Sequence, residues 1–380
     1  MPLADALGRV LADPIVAGHD VPPFANTAMD GYAVRAEDTA GAPVRLLVVG
    51  TLSAGSAPDV EVRAGETVRI MTGAPIPPGA DAIVMVERTS AADDGSAVLI
   101  EVEASPGDHV RRAGDDLSAG QAVFEPGDEL TAGHLGVLAS LGFERVRVVP
   151  PARVGVLSTG DELVTGPAPL RPGQIRDSNR PTLLALVREA GCVPVDLGTV
   201  GDDETAIRRA VEDGLARCDA LVTSGGVSVG DFDYVKAVLD DLGRMDWWQV
   251  AVKPAKPLAF GVVGGRPVFG LPGNPVSSMV SFELFARPAL RQMMGHAQLL
   301  RPEVVAVADE PFRRRPDGKV HLARVVATHG DDGRYHLRSS GGQGSHLLRA
   351  MSLANALAVL PDGTGVEAGG TVDVILLRTV

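Results

Sequence analysis

From residue 151 to residue 298 short apolar runs alternate with amphipathic stretches, and that order dictates the middle of the fold. ARVGVLS, VPVDLG, DALVTS, WWQVAV and PVFGLPG read as strands. DSNRPTLLALVREAG, DDETAIRRAVEDGLARC, DFDYVKAVLDDLG and NPVSSMVSFELFARPALRQMMG read as helices. Ile207, Val211 and Leu215 recur at helical spacing, and Pro181 lies just inside a start marked by Ser178 or Asn179. Alternation of this kind predicts a parallel sheet wrapped by helices, a central doubly wound α/β domain.

The flanks read differently. Before Pro150-Pro151, an amphipathic helix in ADALGRVLA precedes short β-like runs, VRLLVV, TVRIM, DAIVMVE, AVLIEV and RVRVV, with one helix near TAGHLGVLASLG. Strands in a row without alternating helices predict a β-rich N-terminal module. From about Arg301 onward VVAVAD, KVHLARVVA, YHLRSS, ALAVL and VDVILL predict a small C-terminal β-barrel or sandwich. A chain of 380 residues exceeds one ordinary core, and 45 Gly and 28 Pro supply the turns that so many short strands need.

Charge narrows the function. A net charge of -13 opposes the broad basic face that nucleic acid or an anionic membrane requires, so any cationic site must be local. Cys192 and Cys218 form no CxxC and no metal-ligand spacing, and read as core residues of a reduced, cytoplasmic protein. The N-terminus, with Asp5 and Asp13, reads as neither a signal peptide nor a membrane span.

In an open α/β sheet, ligands bind at the carboxyl ends of the strands. The unusual loops STGDEL, TVGDD, TSGGVSVGD, KPAKP and LPGNP each follow a strand and are expected on one edge. In TSGGVSVGDFD, Gly225, Gly226 and Gly230 permit positive φ before a helix N-terminus, which makes an anion cradle or, equally, a turn capped by Asp231. The loop is neither GxGxxG nor a P-loop. Three acidic pairs crowd the same edge, Asp161 with Glu162, Asp202 with Asp203, and Asp231 with Asp233. Each residue can cap a helix, but carboxylates beside a phosphate cradle point to a bridging Mg²⁺.

Lysine is nearly absent from the chain, yet Lys253 and Lys256 stand three residues apart, each followed by proline. Extended or polyproline geometry would project both from one face, where each attracts a unit anion by roughly 3 kcal/mol at about 5 Å and an effective dielectric of about 20. The plain alternative is two surface lysines. LPGNPVSSM, with Ser277 and Ser278, repeats the turn-then-helix logic, or is a turn capped by Asn274. In the N-terminal module, Asp30-Gly31 has the form of a hairpin turn. The histidines lie outside these loops, so no Ser/His/Asp triad is proposed.

Taken in order, NTAMDGYAVR, IMTGAPIPPGAD, RRAGDDLSAG, STGDEL, IRDSNR, TSGGVSVGD, KPAKP and GLPGNPVSS closely resemble the molybdopterin molybdenumtransferase family (MoeA, and the E domain of gephyrin) over nearly the whole chain. The resemblance implies an α/β multidomain fold whose central domain is molybdopterin-binding and MogA-like. It implies residues 1–18 with 116–150 as a linker and dimerisation domain, and 19–115 as an inserted β-rich domain. Residues 151–298 become the α/β domain and 299–380 the barrel.

It also implies a reaction, insertion of molybdate into adenylylated molybdopterin with Mg²⁺-dependent release of AMP. The expected assembly is a homodimer whose cleft joins the α/β domain of one subunit to the N-terminal module of the other. On that resemblance Lys253 and Lys256 hold molybdate, and Ser224, Gly225, Gly226, Ser228 and Gly230, with Pro272, Gly273, Asn274 and Ser278, hold the pterin phosphate and adenylate. Asp202, Asp231 and Asp233 become candidates for magnesium. Asp30, Thr72, Asp115 and Glu162, with Asp202 and Asp233, become candidates for the chemistry. Arg324 and Ser345 are expected near the molybdate pocket.

Two departures bear on the pocket: Ala255 stands where the family commonly has glycine, and Gln249 where some relatives carry another lysine. Without a fused adenylyltransferase domain, a separate protein is expected to make the adenylylated substrate. The alternatives are an adenylyltransferase acting on molybdopterin, which would consume ATP, and a scaffold module like gephyrin.

Overall fold

The computed structural model describes residues 1–92, 95–226 and 234–378. These form two compact units, Met1–Leu7 with Leu11–Val148, and Gly8–Val10 with Val149–Val380.

In the second unit the apolar runs become a six-stranded sheet. Its order is Val193–Val200, Arg153–Thr159, Ala220–Ser224, Arg266–Leu271, Pro257–Val263 and Arg244–Gln249. The first four strands are mutually parallel, as expected from the alternation. Pro257–Val263 is antiparallel to both its neighbours, so the sheet is mixed. PLAFGVV is not among the strands expected from the sequence, and the Gly264-Gly265 turn, with both φ values positive, folds it back on Arg266–Leu271. Helices Asn179–Glu189, Glu204–Arg217 and Tyr234–Leu242 pack on the sheet through Leu183 and Val187, Ile207 and Val211, and Val235 and Val238, all buried. They divide between two clusters. Leu183 and Val187 join Val154, Val222 and Phe269, while Ile207, Val211 and Val238 join Leu157, Leu221 and Val268. A doubly covered sheet results.

The last helical run is not uniform. Helix Pro275–Ser281 passes through a wide π turn, Phe282–Ala286, into helix Arg287–Met293. Pro288 has no N–H to offer the preceding turn, and the wider turn absorbs the missing bond.

Five strands then close into a barrel. Val320–His329 pairs with both Tyr335–Ser339 and Ala356–Leu360, and Thr371–Leu376 and Glu303–Ala308 complete the ring. Alternate residues Ala323, Val325 and Ala327 fill the narrow interior with Ala306, Ala358 and Val374. Leu322 instead joins Val276, Val280 and Ala255 in a cluster shared with the α/β domain. One short helix, Leu348–Leu353, was not expected from the sequence.

The first unit holds a six-stranded sheet built from Gly31–Val34, Val44–Leu52, Glu66–Ile70, Ala82–Met85, Thr89–Ala92 and Ala97–Ile100. The helix expected near TAGHLGVLASLG is Ala132–Ser140, whose Thr131 side chain accepts the His134 N–H. ADALGRVLA is not an amphipathic helix. Only Leu3–Asp5 makes a 3-10 turn, Gly8 takes φ +70°, and Leu11 is drawn into a bridge with Val148. RVRVV likewise forms only isolated bridges, through Arg145 and Val148. No helix among the described residues is long and apolar enough to cross a membrane.

Candidate functional site

The loops at the carboxyl edge of the sheet are tied together by side chains. Asn179 Nδ2 donates to Ser224 Oγ and to the Gly273 carbonyl, both at 2.7 Å, joining the start of the first helix to the SGG and LPGNP loops. Gly225 takes φ +97°, where a Cβ would sit 2.8 Å from the Thr159 carbonyl, so glycine is required. Its N–H donates to Leu271 O, and Gly225 therefore serves the turn and is not a cradle donor. Ser228, Gly230, Asp231 and Asp233 lie outside the described residues.

Of the acidic pairs, Asp203 caps its helix by accepting the Ala206 N–H at 2.7 Å. Asp161 and Asp202 clamp their two loops reciprocally: Asp161 Oδ1 accepts the Asp202 N–H at 3.0 Å, and Asp202 Oδ2 accepts the Asp161 N–H at 3.4 Å. Each commits one carboxylate oxygen to the clamp, and both side chains are exposed beside Glu162. Among the described residues no group of three His, Cys, Asp or Glu side chains could hold a metal ion by itself.

The lysine loop is not a polyproline segment. Lys253 lies in a two-residue strand, Val252–Lys253, paired in parallel with Val320 and His321. Ala255 takes φ +85°, and Val250 N–H donates to Lys256 O at 2.7 Å to close a tight turn. This turn, and not an extended repeat, brings both lysines to one pocket of about 540 Å³. Asn274, Ser277 and Ser345 line it too, and Val276 N–H donates to the Ser345 carbonyl, fixing the barrel loop to the helix start. Asn274 precedes its helix without capping it through the side chain. Ser278 is buried, and its Oγ finds no partner among the described residues. Among the described residues no carboxylate lines the pocket, and neither lysine has an ion-pair partner.

A smaller pocket of about 150 Å³ shares Lys253, Pro254 and Gln343 with the first. Arg324 lines it, 1% exposed, donating through Nη2 to the carbonyls of Gly342 and Gly344 at 3.2 Å. Its Nε has no partner among the described residues, and burial alone pushes its pKa down. A buried guanidinium with no carboxylate facing it is an unanswered positive charge.

At the larger pocket sequence reasoning missed three polar side chains, Lys319, Gln343 and His346. The scarcity of lysine that singled out Lys253 and Lys256 applies equally to Lys319, since three of the chain's four lysines line one cavity. His346 lines the pocket from the C-terminal barrel, outside the loops that follow the sheet strands. Gln343 gives no sequence signal. Its amide accepts the Arg324 N–H and donates to the Arg324 carbonyl, standing in for a strand neighbour.

In the first unit, Asp30-Gly31 is not a hairpin turn. Gly31 begins a strand flanked on both sides, and a Cβ there would meet the Val84 carbonyl at 2.0 Å. Asp30 Oδ1 accepts both the N–H and the hydroxyl of Thr72, at 2.6 and 2.7 Å. Those bonds, the backbone one foremost, hold the Asp30 carboxyl below its ordinary pKa. Asp115 is engaged separately, accepting the Arg112 N–H in its own turn.

Comparison with known proteins matches three regions of the chain in order. Residues 1–142 match the MoeA N-terminal region (domain I and II), residues 155–292 a probable molybdopterin binding domain, and residues 306–377 the MoeA C-terminal region (domain IV). The chain is 39% identical to molybdopterin molybdenumtransferase of Haemophilus influenzae, over 98% of this chain and 92% of that protein. It is 41% identical to molybdopterin molybdenumtransferase 2 of Mycobacterium tuberculosis, over 98% and 93%. A solved molybdopterin biosynthesis moeA protein from Pyrococcus horikoshii superposes with a TM-score of 0.84 at 28% identity, covering 99% of this chain and 93% of that one. With three consecutive family regions matched and relatives this similar over almost its full length, the chain belongs to the molybdopterin molybdenumtransferase family.

Proposed function

We propose that the chain inserts molybdate into adenylylated molybdopterin with release of AMP, yielding molybdenum cofactor. The observation that carries this reading is the pocket in which Lys253 and Lys256 converge with no carboxylate among its described lining residues, in a chain whose net charge is -13. Compact ammonium donors and serine hydroxyls suit a tetrahedral dianion better than the planar fork of arginine does. Arg324, buried beside the same lysine without a carboxylate, adds positive potential from the barrel side. The lysines hold the dianion where the pterin sulfurs are to meet it, and the SGG and LPGNP loops, locked together by Asn179, orient the phosphate end.

Asp202, clamped beside Asp161, would hold a magnesium ion only together with water and substrate phosphate, since no group of three such side chains among the described residues could hold one by itself. Mg²⁺ commonly takes one or two carboxylates and fills its remaining positions with water and substrate phosphate, and the reciprocal clamp commits only one oxygen of each aspartate. When bound there it would neutralise charge on the phosphate as AMP departs. The homodimer, with Asp30, Thr72 and Asp115 serving the partner's α/β domain, the four-part domain division and a separate adenylyltransferase belong to the same proposal.

The test is single-turnover reaction of Lys253→Ala and Lys256→Ala with adenylylated molybdopterin over a molybdate series. Each variant is expected to need at least about tenfold more molybdate while retaining pterin binding. Unchanged molybdate dependence in both would overturn the assignment.

A further inference from the structure

Lys319 sits on a built support. Its strand begins at Val320, which pairs with Val252 while His321 pairs with Lys253, so the backbone register sets Lys319 beside the lysine loop. The Lys319 carbonyl accepts Arg314 Nη1 at 2.8 Å. Arg314 Nη2 in turn holds Asp317 and Asp362 at 2.8 Å each, and Asp362 accepts the N–H groups of Asp317 and Gly318. The turn carrying the lysine is thereby tied down from both sides. Asp317 Oδ2 lies 3.3 Å from the Lys319 ammonium, and both Asp317 oxygens lie 3.1 Å from His321 Nε2. That carboxyl is held down to about 2, chiefly by the His321 hydrogen bond against some burial, with Lys319 adding to it. Lys319 keeps only 28% of its side chain exposed, yet lines the large pocket with Lys253 and Lys256, whereas Asp317 does not line it.

We propose that Lys319 is a third cationic ligand of the oxoanion, with Asp317 as a positioning residue that holds its ammonium at the rim of the pocket. The inference rests on the oxoanion reading of this pocket given above. Three ammonium groups balance one dianion together with the Asp317 carboxylate 3.3 Å from Lys319, and an anchored third lysine raises affinity without the entropy cost of ordering a free one.

The test is calorimetric titration of the full chain with molybdate at several ionic strengths, thermal unfolding confirming that each variant is folded. Lys319→Met is expected to weaken binding about tenfold and to flatten the salt dependence, with Lys319→Gln as a second neutral variant should the first fail to fold. Lys319→Arg is expected to stay within about threefold of the unmodified chain, because charge is retained. Asp317→Asn, keeping the ammonium but not its holder, should weaken binding about threefold, with a salt slope no flatter than that of the unmodified chain because the positive charge remains. If Lys253→Met weakens binding and Lys319→Met does not, the third-ligand inference fails while the oxoanion reading stands. If neither changes binding, the reading itself fails. Loss in Lys319→Arg equal to that in Lys319→Met would show that charge is not what Lys319 supplies, and unaltered binding in Asp317→Asn would remove the positioning role.

Discussion

At the scale of single residues, Ala255 carries the sharpest lesson. In the sequence it is a departure from glycine. In the fold its φ of +85° explains why glycine is the ordinary choice, and its Cβ is buried against Val276, Val280 and Leu322. The left-handed conformation costs a residue with a Cβ roughly 1–2 kcal/mol, and burial of one methyl returns about 0.8 kcal/mol. Ala255→Gly is therefore expected to change stability by less than about 1 kcal/mol. Ala255→Val places a β-branched side chain at positive φ in a filled site and should destabilise the chain by about 3 kcal/mol or more, while weakening molybdate binding because the turn carries both lysines. Urea unfolding beside molybdate titration checks both, and a well-folded Val variant would show that the turn is not tightly held. Lys253 and Lys256 were legible from scarcity and spacing, although the geometry that unites them is a closed turn. Asn179 and Gln343 were not, because their work is done on backbone and side-chain atoms far away in sequence.

At the scale of elements, what could be read was the burial pattern. Parallel strands covered on both faces appear as unbroken apolar runs, and the barrel strands as short alternating ones, so both were legible. Pro257–Val263 was not, because its leading proline argues against a strand until the hairpin partner is known. ADALGRVLA shows the reverse error, helical periodicity overridden by pairing at Leu11 and the bend at Gly8. The π turn follows from Pro288 and brings Glu283 to a buried position. There it accepts Arg301 Nε and Nη2 at 2.9 and 3.0 Å, with Arg287 Nε 3.8 Å away. Glu283, with 5% of its side chain exposed, joins the last helix to the residue that leads into the barrel. Glu283→Ala removes the buried carboxylate that receives both Arg301 bonds, leaving Arg301 only the more distant Glu189 at 3.9 Å, and is expected to cost about 3 kcal/mol in urea unfolding. A loss below about 1 kcal/mol would mean that the network is ornamental to stability.

At the scale of the molecule, the proposal gives roles to residues of each compact unit, and the sequence alone does not say whether one chain or two supply them. Asp30 and Thr72 form a tight pair in the first unit, while the lysine pocket belongs to the second. On the proposed homodimer, each site takes its lysines from one subunit and its Asp30 from the other. A heterodimer of a Lys253→Ala chain with an Asp30→Ala chain, purified through two different tags, then contains one doubly defective site and one intact site. Its activity is expected at about half that of the unmodified dimer, although either variant alone is inactive. If each site is instead completed within one chain, both sites of the heterodimer carry a defect and no activity returns. Cofactor formation measured on the purified heterodimer thus separates a shared cleft from a private one: an inactive heterodimer would move Asp30 to the same subunit's site, and full activity of the Asp30→Ala dimer by itself would take Asp30 out of the reaction altogether.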